Sequence, residues 1–391
     1  MSAADAAIAW LLDEGLEVRF LEDVFTEVCA RLREAGLPLD RATLHIRALH
    51  PQFRAVRIRW AAGAERAEVR RVGDDVLAST RFSNSPVKAL FEGAEGLRQR
   101  LDVKLPADAY EIYSELQERG FTDYVAWPLN FSSGQRIAST WTTRRPQGWR
   151  TDELMELDRL RPLLAMAAEL RIVRRTARNI AETYLGRRAG ARVLDGQIYR
   201  GDTETVDAVV AHLDMRDFTS FSERTASADV IRRLNRYFDV FGAAIAAEGG
   251  EILKFLGDGV LAIFPVDGDP QAAAGRAIDA GCRGFRGLAE LNAELQGRGE
   301  ERIACGLGLH LGPVAYGNIG TVDRLDFTVI GPAVNLAARL QLLARDLGEP
   351  IVMTEAVAEA CRRPVRGLGR HGVRGVPRVI AVYAPAAEAG A

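Results

Sequence analysis

The stretch Lys254-Phe-Leu-Gly-Asp-Gly-Val-Leu-Ala-Ile-Phe264 places a Gly-Asp-Gly turn between two apolar runs. Such a turn is a strong signal for a β-hairpin. Helical patterns at 228–247 and 271–295 lie on either side of the hairpin, and strand-like patterns at 206–213 and 303–311 lie outside them. This βαββαβ order predicts a split-βαβ unit, with a sheet covered by helices on one face.

The same unit continues toward the C-terminus. A strand-like run at 326–330, a helical pattern at 333–347 and a short β-rich tail follow the segments above. We therefore place one α/β (α+β) domain at 205–385, followed by a tail at 386–391.

The N-terminal part of the chain predicts a second mixed α/β domain, which we place at 1–150. Helical patterns cover 6–35 and 107–119. Four strand-like runs lie between and after them: 43–47, 55–60, 124–129 and 136–142.

The segment 151–204 predicts a helical linker. Thr151-Asp152-Glu153 supplies a capping hydroxyl and acids near the positive end of a helix. The following apolar residues recur in steps of three and four, as in a coiled-coil seam, although Pro162 interrupts the first series. The linker is expected to pair with its copy in a second chain; the alternative is a helix packed on its own domain.

Composition excludes several classes of protein. The 391 residues are 48% hydrophobic and 27% charged, which excludes a disordered chain and suggests two or three domains. The net charge of -2 lacks the basic excess of a dedicated nucleic-acid binder. No apolar run approaches the ~18 residues of a membrane span, and acids within the N-terminal apolar stretch argue against a secretory signal, so we expect a cytoplasmic protein.

Cysteines and histidines are dispersed. No CxxC pair is present, so neither a disulfide framework nor a zinc site is expected. The residues are Cys29, Cys282, Cys305, Cys361, His45, His50, His212, His310 and His371.

Polar residues that suit phosphate chemistry occur at several predicted element ends. Asp214 ends a strand, and Asp258 lies in the hairpin turn roughly 13 Å along the strand from Lys254. Asn335 and Arg339, spaced i,i+4, project side by side from a helix opened by Gly-Pro. Each feature alone also fits a turn residue, an edge charge or a solvated pair. The glycines of the run 309–320 allow tight bends and a close approach of the backbone to a ligand.

Together and in this order, these segments resemble the class III nucleotidyl cyclases over 205–385. The resemblance implies a ferredoxin-like catalytic domain and a head-to-tail homodimer. Each site would take metal carboxylates from one chain and transition-state residues from the other. The implied reaction converts ATP to 3′,5′-cyclic AMP and pyrophosphate.

The resemblance implies a metal and phosphate site. Asp214 and Asp258 match the family's metal-binding aspartates, with the backbone carbonyl of Met215 assisting. They would hold two Mg²⁺ or Mn²⁺ ions, which prefer oxygen ligands. Three residues lie where the family's backbone amides cradle phosphate oxygens: Phe218, Thr219 and Ser220.

It also implies a nucleoside site. Lys254 and Thr328 match the positions that read adenine. Asn335 would orient the ribose, and Arg339 would stabilise charge on the pentavalent phosphorus. Arg374 matches a basic residue that binds the terminal phosphates.

Three departures from the family pattern stand out. Asp217 occupies a position that is usually glycine, Pro332 replaces the usual Asp or Asn, and the segment between Cys361 and Arg374 is short.

A guanylate cyclase is the first alternative function, and Lys254 disfavours it. A nucleotide-binding module without catalysis is the second, disfavoured because the catalytic side chains are present. An RNA-binding split-βαβ domain would need aromatic stacking motifs that are missing.

The N-terminal domain more loosely resembles GAF-type sensor domains, with 149–153 as the entry to a final helix. The resemblance implies regulation through the linker by a small molecule or another signal. No ligand signature is present, and we expect His45 and His50 to be strand-end residues rather than haem ligands. We expect Cys29 to be a packing residue, and we expect three tryptophans to belong to the core or to a pocket wall rather than to a light sensor: Trp60, Trp127 and Trp141.

Overall fold

A computed structural model describes residues 2–47, 53–77 and 79–386, so His50 and all but Ala386 of the tail lie outside the described residues. The chain divides into two compact units, Met1–Ile180 and Ala181–Ala391. Within the described ranges, no helix is long and apolar enough to cross a membrane.

The first unit is an antiparallel six-stranded sheet with helices on both faces. Its elements are α1 (Ala3–Leu12), α2 (Leu21–Glu34), β1 (Arg41–Arg47), β2 (Ala55–Ala61), β3 (Glu68–Val72), α3 (Asp74–Leu77), α4 (Thr80–Ser83), α5 (Pro86–Phe91), β4 (Leu97–Arg100), α6 (Glu111–Glu118), β5 (Asp123–Asn130) and β6 (Arg136–Thr143). The strand order is β3-β2-β1-β6-β5-β4.

Alternation along β1 separates the two faces of this sheet. Ala42, Leu44 and Ile46 are buried in the core that includes α1 and α2. The intervening residues face the other way, because successive side chains of a strand point to opposite faces. On that second face, a smaller core packs α5 and α6 against β5 and β6.

The predicted helix at 6–35 is wrong in one respect, because the chain forms two helices there. A short 3-10 turn, Glu14–Leu16, separates α1 from α2. Gly15 in that turn lies so close to Trp10 that a Cβ would come within 3.0 Å of the Trp10 carbonyl oxygen. Both helices bury residues in the same core, so the chain turns between them in spite of the continuous helical periodicity. Cys29, Trp60 and Trp141 are buried in the core, as expected.

Helix α7 (Thr151–Leu185) runs without interruption through Pro162. Its first half carries Leu157, Leu160 and Leu164, which are buried in the core of the first unit. The first half of the helix therefore packs on its own domain, which is the alternative given above to pairing with a second chain. Its second half exposes an apolar series at steps of three and four: Leu170, Val173, Ala177, Ile180 and Tyr184.

The second unit contains an eight-stranded sheet. Its elements are α8 (Arg187–Leu194), β7 (Thr203–Met215), α9 (Phe218–Arg224), α10 (Ser227–Ala247), β8 (Glu251–Leu256), β9 (Gly259–Pro265), α11 (Pro270–Gly297), β10 (Cys305–Gly320), β11 (Leu325–Ile330), α12 (Pro332–Asp346), β12 (Ile351–Thr354), α13 (Glu355–Ala360), β13 (Val365–His371) and β14 (Ile380–Pro385). The order is β13-β14-β12-β10-β7-β9-β8, with β11 on β10.

The four central strands, β10-β7-β9-β8, have the order of a split-βαβ fold, which confirms the predicted fold class. Its two helices, α10 and α11, cover one face of the sheet as predicted, whereas the later helix α12 lies on the opposite face. Gly308 permits this: a Cβ there would lie 2.2 Å from the Ala337 carbonyl oxygen. The glycine-rich run 309–320 does not bend, since it continues β10; Gly317 and Gly320 in it leave room for neighbouring backbone.

Candidate active site

The ends of two neighbouring strands bring Asp214 and Asp258 together. Leu213 on β7 pairs with Val260 on β9, and Asp258 lies two residues before Val260 in the hairpin turn. Gly259, at the end of the turn, lies next to the carboxylate of Asp214: a Cβ on this glycine would be 3.0 Å from Asp214 Oδ1. The glycine therefore allows the turn to approach the end of β7.

Electrostatics at this carboxylate pair favour a cation. Burial, the charge of Asp258 and a hydrogen bond between the two carboxyl groups raise the pKa of Asp214 to about 6. In the described ranges, no basic side chain forms an ion pair with either aspartate. A divalent cation would relieve the repulsion and accept hard oxygen ligands, so the residues present fit such an ion.

The segment after β7 turns sharply at Asp217. Its φ of 58° is left-handed, a conformation that glycine adopts most easily, in agreement with the departure noted in the sequence. The Asp217 carboxylate lies 3.3 Å from the guanidinium of Arg345 on α12, so its charge is partnered. Phe218, Thr219 and Ser220 then form the first turn of α9.

A second group of residues lies where β8 meets β11. The Nζ atom of Lys254 lies 3.3 Å from Oδ2 of Asp326. Thr328, two residues further along the same strand, is 4% exposed. Its hydroxyl is buried without a hydrogen-bond partner among the described residues. A buried unpaired hydroxyl is costly, so this one suits a ligand that completes its hydrogen bonding.

The third group lies on α12. Asn335 is exposed, and Arg339, one turn later, is partly buried. The loop after β13 lies against Arg339, because a Cβ on Gly375 would be 3.0 Å from its guanidinium nitrogens. Arg374, the exposed neighbour of Gly375, belongs to this loop. Pro332 occupies the first turn of the helix, where its missing N–H has no cost.

No hydrogen bond or ion pair in the described part of the chain joins Asp214 or Asp258 to Lys254, Asn335 or Arg339.

The sequence analysis did not single out two residues of the site, Asp326 and Arg345. Asp326 could have been found, because it shares a strand face with Thr328 two residues away. The contact of Arg345 with Asp217 depends on the packing of α12 and leaves no local signal.

Comparison with known families identifies this unit. Residues 202–377 match the family described as the adenylate and guanylate cyclase catalytic domain. Residues 202–377 of the second unit are thus similar to class III cyclase catalytic domains. The motif residues above all lie within this matched range.

Two curated relatives share the cyclase domain. An adenylate cyclase of Anabaena cylindrica is 36% identical over 157 residues, which are 40% of this chain and 31% of the relative. Adenylate cyclase 1 of Rhizobium meliloti is 30% identical over 176 residues, which are 44% of this chain and 26% of the relative. The chain thus spans about a third or less of the length of these relatives.

Among solved structures, an adenylyl cyclase from P. aeruginosa is 26% identical, with a TM-score of 0.43. The alignment covers 46% of this chain and 94% of that chain.

Proposed function

We propose that this protein is an adenylate cyclase that converts ATP to 3′,5′-cyclic AMP and pyrophosphate. The observation that carries the proposal is the pairing of Asp214 with Asp258 in a cyclase domain. Two Mg²⁺ or Mn²⁺ ions bound there would lower the pKa of the ribose 3′-hydroxyl and neutralise the charge of the departing pyrophosphate. The carbonyl of Met215 and the backbone amides at 218–220 are the additional groups proposed to hold metal and phosphate.

The contacts of Lys254 and Thr328 support adenine as the base. Lys254 would donate to adenine N1, which lacks a proton, whereas N1 of guanine carries one. The unpaired hydroxyl of Thr328 would accept from the 6-amino group. Asp326 would hold the ammonium group of Lys254 in place through its ion pair.

A head-to-tail homodimer is proposed to complete each site. Asn335, Arg339 and Arg374 of one chain would reach the substrate held by the aspartates of the other. Asn335 would orient the ribose, Arg339 would stabilise charge on the α-phosphorus, and Arg374 would bind terminal phosphates. The exposed apolar series on α7 supports dimer formation, because such a series is stabilised when it pairs with a second helix.

Regulation is proposed to come from the first unit, as a GAF-like domain linked through α7. Its described sheet, with helices on both faces, is compatible with this role.

Turnover of ATP and GTP by the full chain, measured side by side with Mn²⁺ and with Mg²⁺, tests the proposal. We expect cyclic AMP as the main product and its loss in Asp258→Asn. Asp267→Asn is the matched control, because Asp267 only pairs with exposed Arg188 and should leave turnover intact. A folded dimer that produces no cyclic nucleotide with either metal would contradict the assignment.

A further inference from the structure

The first unit contains a cavity of about 1090 Å³ on the second face of its sheet. Strands β1, β2 and β3 form its floor, and residues of α3 to α6 contribute to its wall. This volume is at the upper end of the range for small-molecule sites. The cavity lies entirely within the first unit and is separate from the cyclase site.

Positive charge dominates the cavity. Eight of its lining residues are arginines, whereas Asp75 and Glu115 are its only two lining carboxylates in the described ranges. Glu115 is already paired with Arg81. The lining therefore has a large cationic excess that its own acids do not compensate.

Strand register concentrates this charge in one row. Arg57 on β2 lies directly opposite His45 on β1 and opposite Arg70 on β3. Like charges in directly opposed positions destabilise a sheet. The opposed pair Arg57 and Arg70 is thus costly for the unliganded fold, and an anion bound above it would relieve that cost.

The central arginines lack counter-ions. In the described part of the chain, no ion pair reaches the guanidinium groups of Arg41, Arg57 or Arg70. The Nε atom of Arg57 is buried without an acceptor. Burial lowers the pKa of Arg41 to about 10 and also lowers that of Arg57. Arg70 is exposed, whereas Arg41 and Arg57 are partly buried, and the desolvation of a partly buried cation is not repaid when it has no partner.

The wall opposite this row is apolar and aromatic. Phe82, Val87 and Phe91 from α4 and α5 line it, together with Leu116 of α6. Arg47 lies over the ring of Phe91, with its guanidinium carbon 4.5 Å from the ring centroid. A ligand that matches both surfaces would have an apolar body and an acidic group.

We propose that this cavity binds an organic anion whose phosphate or carboxylate group is held by Arg41 and Arg57 and whose apolar body packs against Phe82 and Phe91. Arginine suits this role because its planar fork of donors binds both acid groups through paired hydrogen bonds. The site goes beyond the proposed catalytic activity and does not depend on it.

Two dyes of similar shape test the proposal on the full chain. The probe is 8-anilinonaphthalene-1-sulfonate, an aromatic anion, and its comparator is N-phenyl-1-naphthylamine, which lacks the sulfonate. All five tryptophans, Trp10, Trp60, Trp127, Trp141 and Trp149, lie in the first unit, so energy transfer to the dye reports binding there. We expect saturable binding of one anionic dye per chain, with the neutral dye at least tenfold weaker.

Substitutions locate the site. Arg57→Gln and Arg41→Gln should each raise the dissociation constant of the anionic dye at least tenfold. Arg71→Gln is the matched control, because Arg71 follows Arg70 on β3 but stacks on Phe53 instead of lining the cavity. Arg57→Gln should also unfold at an equal or higher temperature without dye, since an unpaired buried charge is removed; a merely structural arginine would lower it.

Competition distinguishes the sources of the acid group. Displacement of the dye by adenosine monophosphate assigns a phosphate ligand, and displacement by decanoate assigns a carboxylate ligand. The proposal is wrong if neither displaces the dye, if both arginine variants bind it as tightly as the parent chain, or if the neutral dye binds equally well.

Discussion

Oδ2 of Asp326 accepts a hydrogen bond from Nζ of Lys254 at 3.3 Å, which ties the hairpin strand β8 to β11. This contact fixes the lysine beside the strand that carries Thr328. The position of the proposed base-reading group is therefore set by an acid that lies 72 residues away in sequence.

Lys254→Glu should weaken the preference for ATP over GTP. The substitution replaces a donor to adenine N1 with an acceptor and places it beside Asp326, so the loss should be about 1–3 kcal/mol in the ratio of kcat/KM values. Side-by-side steady-state assays with both nucleotides measure it. An unchanged ATP preference in a folded variant would show that Lys254 does not read the base.

Gly259→Ala should disturb the carboxylate pair. The added methyl group would lie 3.0 Å from Asp214 Oδ1 and 3.3 Å from the Leu213 carbonyl oxygen, so the Asp214 side chain must move. We expect roughly a tenfold loss of Mn²⁺ affinity by electron paramagnetic resonance, about 1.4 kcal/mol. Gly297→Ala, at a helical position with no atom near the added group, is the control and should leave Mn²⁺ affinity unchanged.

Acid should destabilise the first unit through His45. Burial, followed by the charges of Arg41 and Arg57, lowers the pKa of this histidine to about 3. Because the folded pKa lies below the unfolded value of about 6.5, the stabilising contribution is complete above pH 6.5 and declines as the pH falls toward 3.

Tryptophan fluorescence during urea unfolding at pH 7, 6, 5 and 4 measures this effect, since all the tryptophans belong to that unit. His45→Gln should flatten the pH dependence of the unfolding free energy. Parent and variant curves that fall in parallel would exclude His45 as the source.

Val173→Lys and Ile180→Lys should weaken self-association. Val173 is 57% exposed and Ile180 is 47% exposed on the apolar series of α7, where a buried lysine would be costly in a paired helix. We expect sedimentation to show more monomer and cyclic AMP production to fall at the same chain concentration. Arg175→Glu, two residues from Val173 and on the opposite side of the helix, should leave both unchanged.

The sequence determined the order of elements in the second unit, because strand and helix periodicities there agree with strong turn signals such as Gly257-Asp258-Gly259. It also provided the side chains of the candidate site, since their spacing within short motifs is local. Periodicity failed at 6–35, where the contact of Gly15 with Trp10 divides one helical pattern into two helices.

Only the tertiary structure decided which distant residues meet. The sequence contains no local signal that α12 packs against Gly308 of the sheet or that Asp326 contacts Lys254. Nor does it show that Arg41, Arg57 and Arg70 share one face of the sheet. Those arrangements depend on strand register and on close packing between elements far apart along the chain. A pairing shift of one residue would turn each arginine to the opposite face, so the cationic cavity exists only in the assembled sheet.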